Sequence, residues 1–332
     1  MEKKNSSFLT RFWAVVKANP IIFLLVIASI IVGCCVDNFF SWGNFGSLAS
    51  NTAVRFLIAL GVSGCLITKG TDLSAGRQVG FAACLAGVLV QRADYTGRLY
   101  SNIPEMNMWL ILLIVLAVGA LFGFINGTII SRLNVPPFIT TLGTQTIIYG
   151  ISLVFTDAQP IGGFQKVYTK LITGVIGNVD GFYLPYLLFV AAVFGVLFWF
   201  IYGKTCHGKY MYAIGGNEVA AEVSGVNTKK TVTLIYTTAG LMYALAGYLL
   251  AAKSGGASAS MGSGYELDAI AAVALGGTSM SGGRGKIAGT VAGVLIIAVL
   301  NNGLNILGVT SYYQDVIKAL VILVAVLSDR KR

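Results

Sequence analysis

Charge is what this chain lacks most. Only 11% of its 332 residues are Asp, Glu, Lys or Arg, while 56% are hydrophobic. Soluble domains carry about 25% charged residues, so a water-exposed globule is excluded. Histidine is scarcer still: His207 is the only one, and no carboxylate stands at triad or metal-ligand spacing from it. That removes the usual constellations of hydrolases and metalloenzymes, and neither a catalytic nor a metal residue is assigned. Five cysteines are present, at 34, 35, 65, 84 and 206. The first four lie in or beside apolar runs without ligand spacing and read as small buried hydrophobes. A phosphate loop is missing as well. GGTSMSGGRGKI (276–287) ends in Gly-Lys, but lacks the glycine five residues before Gly285 and a hydroxyl residue after Lys286. A phosphate cradle needs both.

What the chain does have is long apolar runs. Stretches able to contribute to crossing a hydrocarbon layer ~30 Å thick fall at 21–35, 53–68, 79–89, 109–130, 138–155, 184–201, 232–252, 268–276, 287–307 and 316–327. The fold class is therefore an all-α polytopic membrane protein of about ten transmembrane helices, in one domain over 1–332. Residues 1–19 carry basic side chains ahead of the first run, which has no small-residue cleavage site, so an uncleaved span after a short amphipathic cytoplasmic segment is expected.

The net charge of +10 is spread over short connections, with no basic arm for nucleic acid. Placing 202–231 inside puts sixteen of the 23 Lys and Arg on the cytoplasmic side. The others (Arg55, Arg92, Arg98, Lys166, Lys170, Lys253, Lys318) fall outside or near span ends. An even span count and this asymmetry place both termini in the cytoplasm.

Two runs, 79–89 and 268–276, are too short to cross alone. Each follows a Gly/Ser-rich break, TKGTDLSAGRQ (68–78) and KSGGASASMGSGY (253–265). The breaks occupy matching places and open to opposite faces, which is the pattern of an inverted repeat with discontinuous helices. Charges at the breaks are functional or structural candidates by their cost: Lys69, Asp72 and Arg77 at the first, Glu266 and Asp268 at the second. Pairings of Asp72 with Lys69 or Arg77, Glu266 with Asp268, and Asp315 with Lys318 are expected, as caps and locks rather than substrate contacts.

AIGGNEVAAEVSGVNTKK (213–230) stands apart from the apolar runs. Asn217 is a good N-cap, Glu218 suits the positive helix end, Ala220 and Ala221 favour helix, and Gly225 supplies a left-handed exit. A helix of about two turns over 218–224 is unstable alone in water, so it must pack on something. A docking helix within a cytoplasmic loop over 202–231 is the expectation.

GGNEVAAEVSGVNT resembles the coupling segment, N-x-x-A-A-x-x-S-G, of permeases from sugar ATP-binding-cassette importers. TDLSAGRQVG (71–80), LNVPPFITTLGT (133–144) and YELDAIAAVALGGTSMSGGRG (265–285) resemble the same family, and the likeness runs from about 51 to 327. TDLSAGRQVG is similar to the galactoside branch more than to the ribose branch. The chain departs from the pattern in lacking a proline after Asn217 and in carrying Glu222 where a basic residue is common.

The resemblance implies a homodimeric permease of a bacterial inner membrane that is not itself an enzyme. ATP and magnesium would sit on a cytoplasmic ATPase, gripped through Asn217, Glu218, Ala220, Ala221, Glu222, Ser224 and Gly225. An external sugar-binding protein would deliver the cargo. A monosaccharide path needs hydroxyl and amide partners, for which Asn126, Thr140, Thr141, Thr144, Gln145, Asn301, Asn302 and Asn305 are candidates. Two other readings stay open: an ion-coupled secondary transporter using Asp72 or Glu266, and a permease for another small solute such as ribose or branched-chain amino acids.

Overall fold

The computed structural model describes residues 39–179, 182–310, 312–317 and 319–320, preceded by 27, 29–30 and 32–34. The expected N-terminal segment (1–19), most of the first span, Lys318 and the end of the last span lie outside the described residues.

The helices in chain order are α1 (Trp42–Ile67), α2 (Ala75–Leu89), α3 (Met108–Arg132), α4 (Pro137–Thr156), α5 (Lys166–Thr173), α6 (Tyr186–Lys204), α7 (Cys206–Gly216), α8 (Glu218–Val223), α9 (Thr228–Ser254), α10 (Tyr265–Leu275) and α11 (Ile287–Ile306). Among the described residues, six of them are long and apolar enough to cross a membrane: α1, α3, α4, α6, α9 and α11. The short helices α2 and α10 stand where discontinuous spans were expected, although α2 starts four residues earlier than 79. At ~1.5 Å per residue the 15 residues of α2 fall short of a hydrocarbon layer.

α1 and α9 form the centre and are buried on most sides, whereas α3, α4 and α6 leave most of their apolar surface open. Leu113, Leu121, Ile147, Val154, Val193 and Val196 are all more than half exposed. Water would not tolerate such walls, while lipid provides no reason to hide them. Contact between such helices must come from fit instead.

That fit is clearest between α3 and α9. Gly119, Gly123 and Gly127 recur every four residues and so share one face of α3. A Cβ on Gly123 would overlap the Tyr236 carbonyl oxygen, and one on Gly119 would overlap Gly240 and Ala244. Gly240 answers with its own missing side chain against the Gly119 carbonyl. The backbones touch directly, and only hydrogen side chains permit it.

Two departures from the sequence reading have physical causes. α1 begins at Trp42 rather than at 53, so Arg55 lies within a span and not near its end. Its charge is tolerated there because it meets Asp268 of α10 at 2.5 Å and lies 5.1 Å from the Tyr265 ring centroid. The second departure is a two-stranded antiparallel hairpin, β1 (Val175–Val179) and β2 (Phe182–Pro185), in an otherwise helical chain. Its β-branched and aromatic residues favour strand, and the Tyr183 hydroxyl donates to the Gly43 carbonyl at the start of α1 (3.2 Å).

Replacing Gly123 by leucine is expected to destabilise the α3–α9 contact by about 1–3 kcal/mol or more through overpacking. Gly203→Ala, with nothing within 4 Å of the new Cβ, is expected to leave stability unchanged or raise it by up to about 1 kcal/mol. Thermal unfolding of both variants in detergent checks the contrast.

Candidate functional site

The site is assembled at one end of the bundle, where α1, α3, α6 and α9 end or begin and the 202–231 segment folds. That segment is more ordered than expected. It carries α7 as well as α8, and α8 ends at Val223, one residue short of 224. Asn217 caps α8 as anticipated, its Oδ1 accepting from the Ala220 N–H at 3.0 Å. Ser224 Oγ donates to the Ala220 carbonyl at 2.7 Å, and Gly225 takes φ +87° as the chain turns away.

The faces of α8 differ. Ala221 is 5% exposed and holds the helix to the body, whereas Val219 and Val223 are 71% and 85% exposed. Glu218, Ala220 and Glu222 are exposed beside them. Two bare valines one turn apart, framed by carboxylates, make a small apolar face on a capped rod.

The arm is seated on the body by backbone contact. A Cβ on Gly215 would overlap the Ile67 carbonyl at the end of α1 and approach the Gly283 N–H at 2.5 Å. The Gly283 N–H itself donates to the Ile67 carbonyl at 2.8 Å. Lys69 Nζ donates to the Gly216 carbonyl at 3.3 Å, and the Tyr212 hydroxyl donates to the Gly285 carbonyl at 2.8 Å. The foot of the arm thus touches both non-helical connections, 68–74 after α1 and 276–286 after α10. His207, on α7, is half-buried, and burial lowers its pKa from the ordinary value, which keeps the imidazole neutral at pH 7.

Break 68–74 is braced from inside. Asp72 is fully buried, and its Oδ1 accepts from the Ser74 N–H (3.0 Å) and the Ser74 hydroxyl (2.5 Å). Ser74 Oγ in turn accepts from the amides of Gln78 and Asn126, each at 2.9 Å. Thr141 Oγ1 accepts from the Leu73 N–H at 3.1 Å. The expected pairing of Asp72 with Lys69 or Arg77 is not formed. Lys69 reaches the arm instead, and the Arg77 guanidinium lies 4.1 Å from the Tyr149 ring centroid. Asp268 pairs with Arg55 rather than standing with Glu266, whose carboxylate lies against Gly76. A serine hydroxyl, available at hydrogen-bonding range without desolvating a second charge, replaces the ion pair.

The eight candidate path residues separate into two groups. Asn126 and Thr141 bond into break 68–74, and Thr140, Thr144 and Gln145 share α4 with Thr141. Thr140 bonds the Pro136 carbonyl (3.3 Å) and Thr144 that of Thr141 (3.2 Å). Asn301, Asn302 and Asn305 lie at the far end of α11. There Asn302 donates to Asn44 and Asn305 accepts from Gln314, both at 2.8 Å. The first group is carried by α3 and α4 and the second by α11.

The family described as branched-chain amino acid transport system / permease component matches residues 44–326. The chain belongs to that permease family. The permease is 42% identical over 330 residues to the galactose/methyl galactoside import permease protein MglC of Haemophilus influenzae, covering 98% of this chain and 96% of the relative. To MglC of Escherichia coli K12 it is 44% identical over 309 residues (92% and 91%). To the ribose import permease protein RbsC of Bacillus subtilis it is 42% identical over 317 residues (95% and 93%). No solved structure matches. The permease is a multi-pass membrane protein with a transport role.

Several residues at the site escaped sequence reading. Val219 and Val223 were signalled by their spacing in EVAAEV, which places them on one face. Ser74 and Gly215 had no such signal, because their roles come from neighbours 52 and 68 residues away. Removing one partner of the Arg55–Asp268 pair is expected to cost about 3–5 kcal/mol. Asp268→Leu should therefore lower the unfolding midpoint of the purified permease sharply, and adding Arg55→Met should restore most of the loss.

Proposed function

We propose that this permease is the transmembrane subunit of an ATP-driven importer that passes a monosaccharide of the galactose/methyl galactoside type to the cytoplasm. The observation that carries this reading is α8: a capped rod with exposed Val219 and Val223, seated by its foot on break 68–74 and on the 276–286 connection. The identity to MglC proteins over nearly the whole chain supports the sugar class.

In this reading two permease copies form the conduit, α8 faces the cytoplasm, and both termini lie on that side. A separate ATPase takes the α8 valines into an apolar groove, burying them by about 1.5–3 kcal/mol each. Asn217, Glu218, Ala220, Ala221, Glu222, Ser224 and Gly225 form or support that contact. ATP and magnesium belong to the partner. A sugar-binding protein delivers cargo at the opposite face.

When the ATPase moves α8, α7 transmits the displacement through Gly215 and Gly216. Those glycines abut the α1 end and the Gly283 turn without an intervening side chain, so the push reaches break 68–74 and the connection after α10 with little slack. Lys69, Asp72, Arg77, Glu266 and Asp268 hold the breaks in register during the motion. Sugar is uncharged, and a shallow path with hydroxyl and amide partners suffices, since tight binding inside would slow release. Asn126, Thr140, Thr141, Thr144, Gln145, Asn301, Asn302 and Asn305 are the positions proposed for it, with the two groups supplied to one passage by different copies.

The experiment reconstitutes the permease with its neighbouring ATPase and binding protein in vesicles and measures uptake of labelled galactose. Hydrolysis by the permease alone, or uptake that collapses with an ionophore while ATP persists, would remove the reading. Gly215→Val is expected to reduce uptake at least about tenfold with the chain still in the membrane, because the arm is forced off the α1 end. Val219→Asp with Val223→Asp is expected to abolish co-purification of the ATPase while leaving permease unfolding unchanged. Retention of the ATPase by that variant would mean α8 is not the docking element.

A further inference from the structure

Directly beneath the arm lies a cavity of about 320 Å³, at the lower end of the range for small-molecule pockets, ~300–1,000 Å³. Its walls come from four places distant in sequence: break 68–74, the α3–α4 turn, the α7–α8 foot, and the start of α9. The polar lining is rich for a membrane protein. It includes Thr68, Lys69, Ser131, Asn134, Glu218 and Tyr236.

Several of these groups have capacity to spare. Tyr236 is 1% exposed and its hydroxyl has no hydrogen-bond partner among the described residues. The hydroxyl sits against Gly70, itself part of the cavity lining, where a Cβ would overlap it. A buried hydroxyl without a partner costs about 1–3 kcal/mol. Lys69 gives one N–H to the Gly216 carbonyl and, with three donors in all, retains two. Asn134 holds its exposed amide on a backbone at φ +54°. Glu218 supplies acceptors only.

The lining carries one cation and one anion, so an ionic ligand would gain no net attraction. A neutral molecule with several hydroxyls can accept from Lys69 and Asn134, donate to Glu218, and satisfy Tyr236. At ~30 Å³ per water the cavity holds the volume of about ten waters, enough for one monosaccharide.

We propose that this cavity is a release-side binding site for a neutral monosaccharide, and that its occupation slows transport. The proposal rests on the importer reading and adds to it a feedback site separate from the path. A sugar bound there ties break 68–74, the α3–α4 turn and the α8 foot together. These are the parts that must shift relative to one another when the arm is driven. Sugar accumulating inside thereby restrains its own import.

Two measurements test this. In the first, labelled galactose is equilibrated at millimolar concentration with the purified permease alone. Binding is expected, weakened about tenfold by Tyr236→Phe, which deletes the one hydroxyl. Asn134→Gly, which removes the amide and suits the positive φ, is expected to weaken it as well. Unfolding midpoints identify any variant that fails to fold, and the other then decides. In the second, vesicles holding the reconstituted importer are preloaded with galactose on the α8 side. Preloading is expected to lower initial uptake about fivefold or more in the unmodified protein and to have little effect in either variant.

Absence of binding, or binding unaffected by both substitutions, overturns the proposal even where uptake is normal. Inhibition by preloading that persists in both variants overturns it too. Loss of galactose binding on adding the ATPase, without inhibition by preloading, assigns the cavity to a partner side chain and equally overturns it. Failure of uptake with binding intact removes the importer reading and leaves the site standing.

Discussion

A backbone that leaves a helix inside an apolar layer must find its hydrogen bonds in the protein, because lipid offers none. That requirement governs the region between α1 and α2 and, through it, the rest of the molecule. The chain exits α1 by returning the Thr68, Lys69 and Gly70 amides to Gly64, Leu66 and Cys65. It then borrows the Thr141 hydroxyl for Leu73 and the Asp72 carboxylate for Ser74. Each loan fixes a neighbour: Thr141 places α4, and Asn126, reaching Ser74, places α3. A break that looks like local disorder in sequence is the point at which four elements agree on their positions.

The second organising feature is direct contact between backbones. Where α3 meets α9, where Gly80 meets the 255–264 connection, and where Gly215 meets the end of α1 and the loop after α10, backbone lies against backbone. In water such surfaces would be joined by buried apolar side chains. In lipid that driving force is absent, and close approach provides dispersion and polar contact instead. Contacts of this kind are stiff. They have few rotamers through which a displacement can be absorbed, which suits the proposed passage of motion from the arm to break 68–74.

Much of this was legible in the sequence, and the remainder was hidden for definable reasons. Scarce charge and long apolar runs identify the fold class without ambiguity. Asn217, Ala221 and Gly225 announce α8, because caps and exits are local chemistry. The two short helices were visible from their length and their Gly/Ser-rich approaches. The start of α1 was not, since Asn51, Thr52 and Arg55 read as a polar boundary, and only Asp268, 213 positions on, makes Arg55 acceptable within a helix. The hairpin at 175–185 was missed because its apolar strands merge with the run that opens α6. Asp72 was recognised as costly but given a charged partner, when a serine two residues away was sufficient. Caps and exits were readable from local sequence, whereas Arg55 depends on a distant neighbour and Asp72 on a choice among nearby partners that spacing alone does not make.

The bare valines of α8 have a further consequence for the life of the chain before assembly. Val219 and Val223 stand in water at the end of a rod too short to hide them by folding back. On the proposed docking, an unaccompanied copy displays a small greasy flag to chaperones and membrane proteases, and one joined to its ATPase does not. If α8 docks the ATPase as proposed, the same two side chains also mark whether assembly is complete, tying the survival of the permease to the supply of that partner.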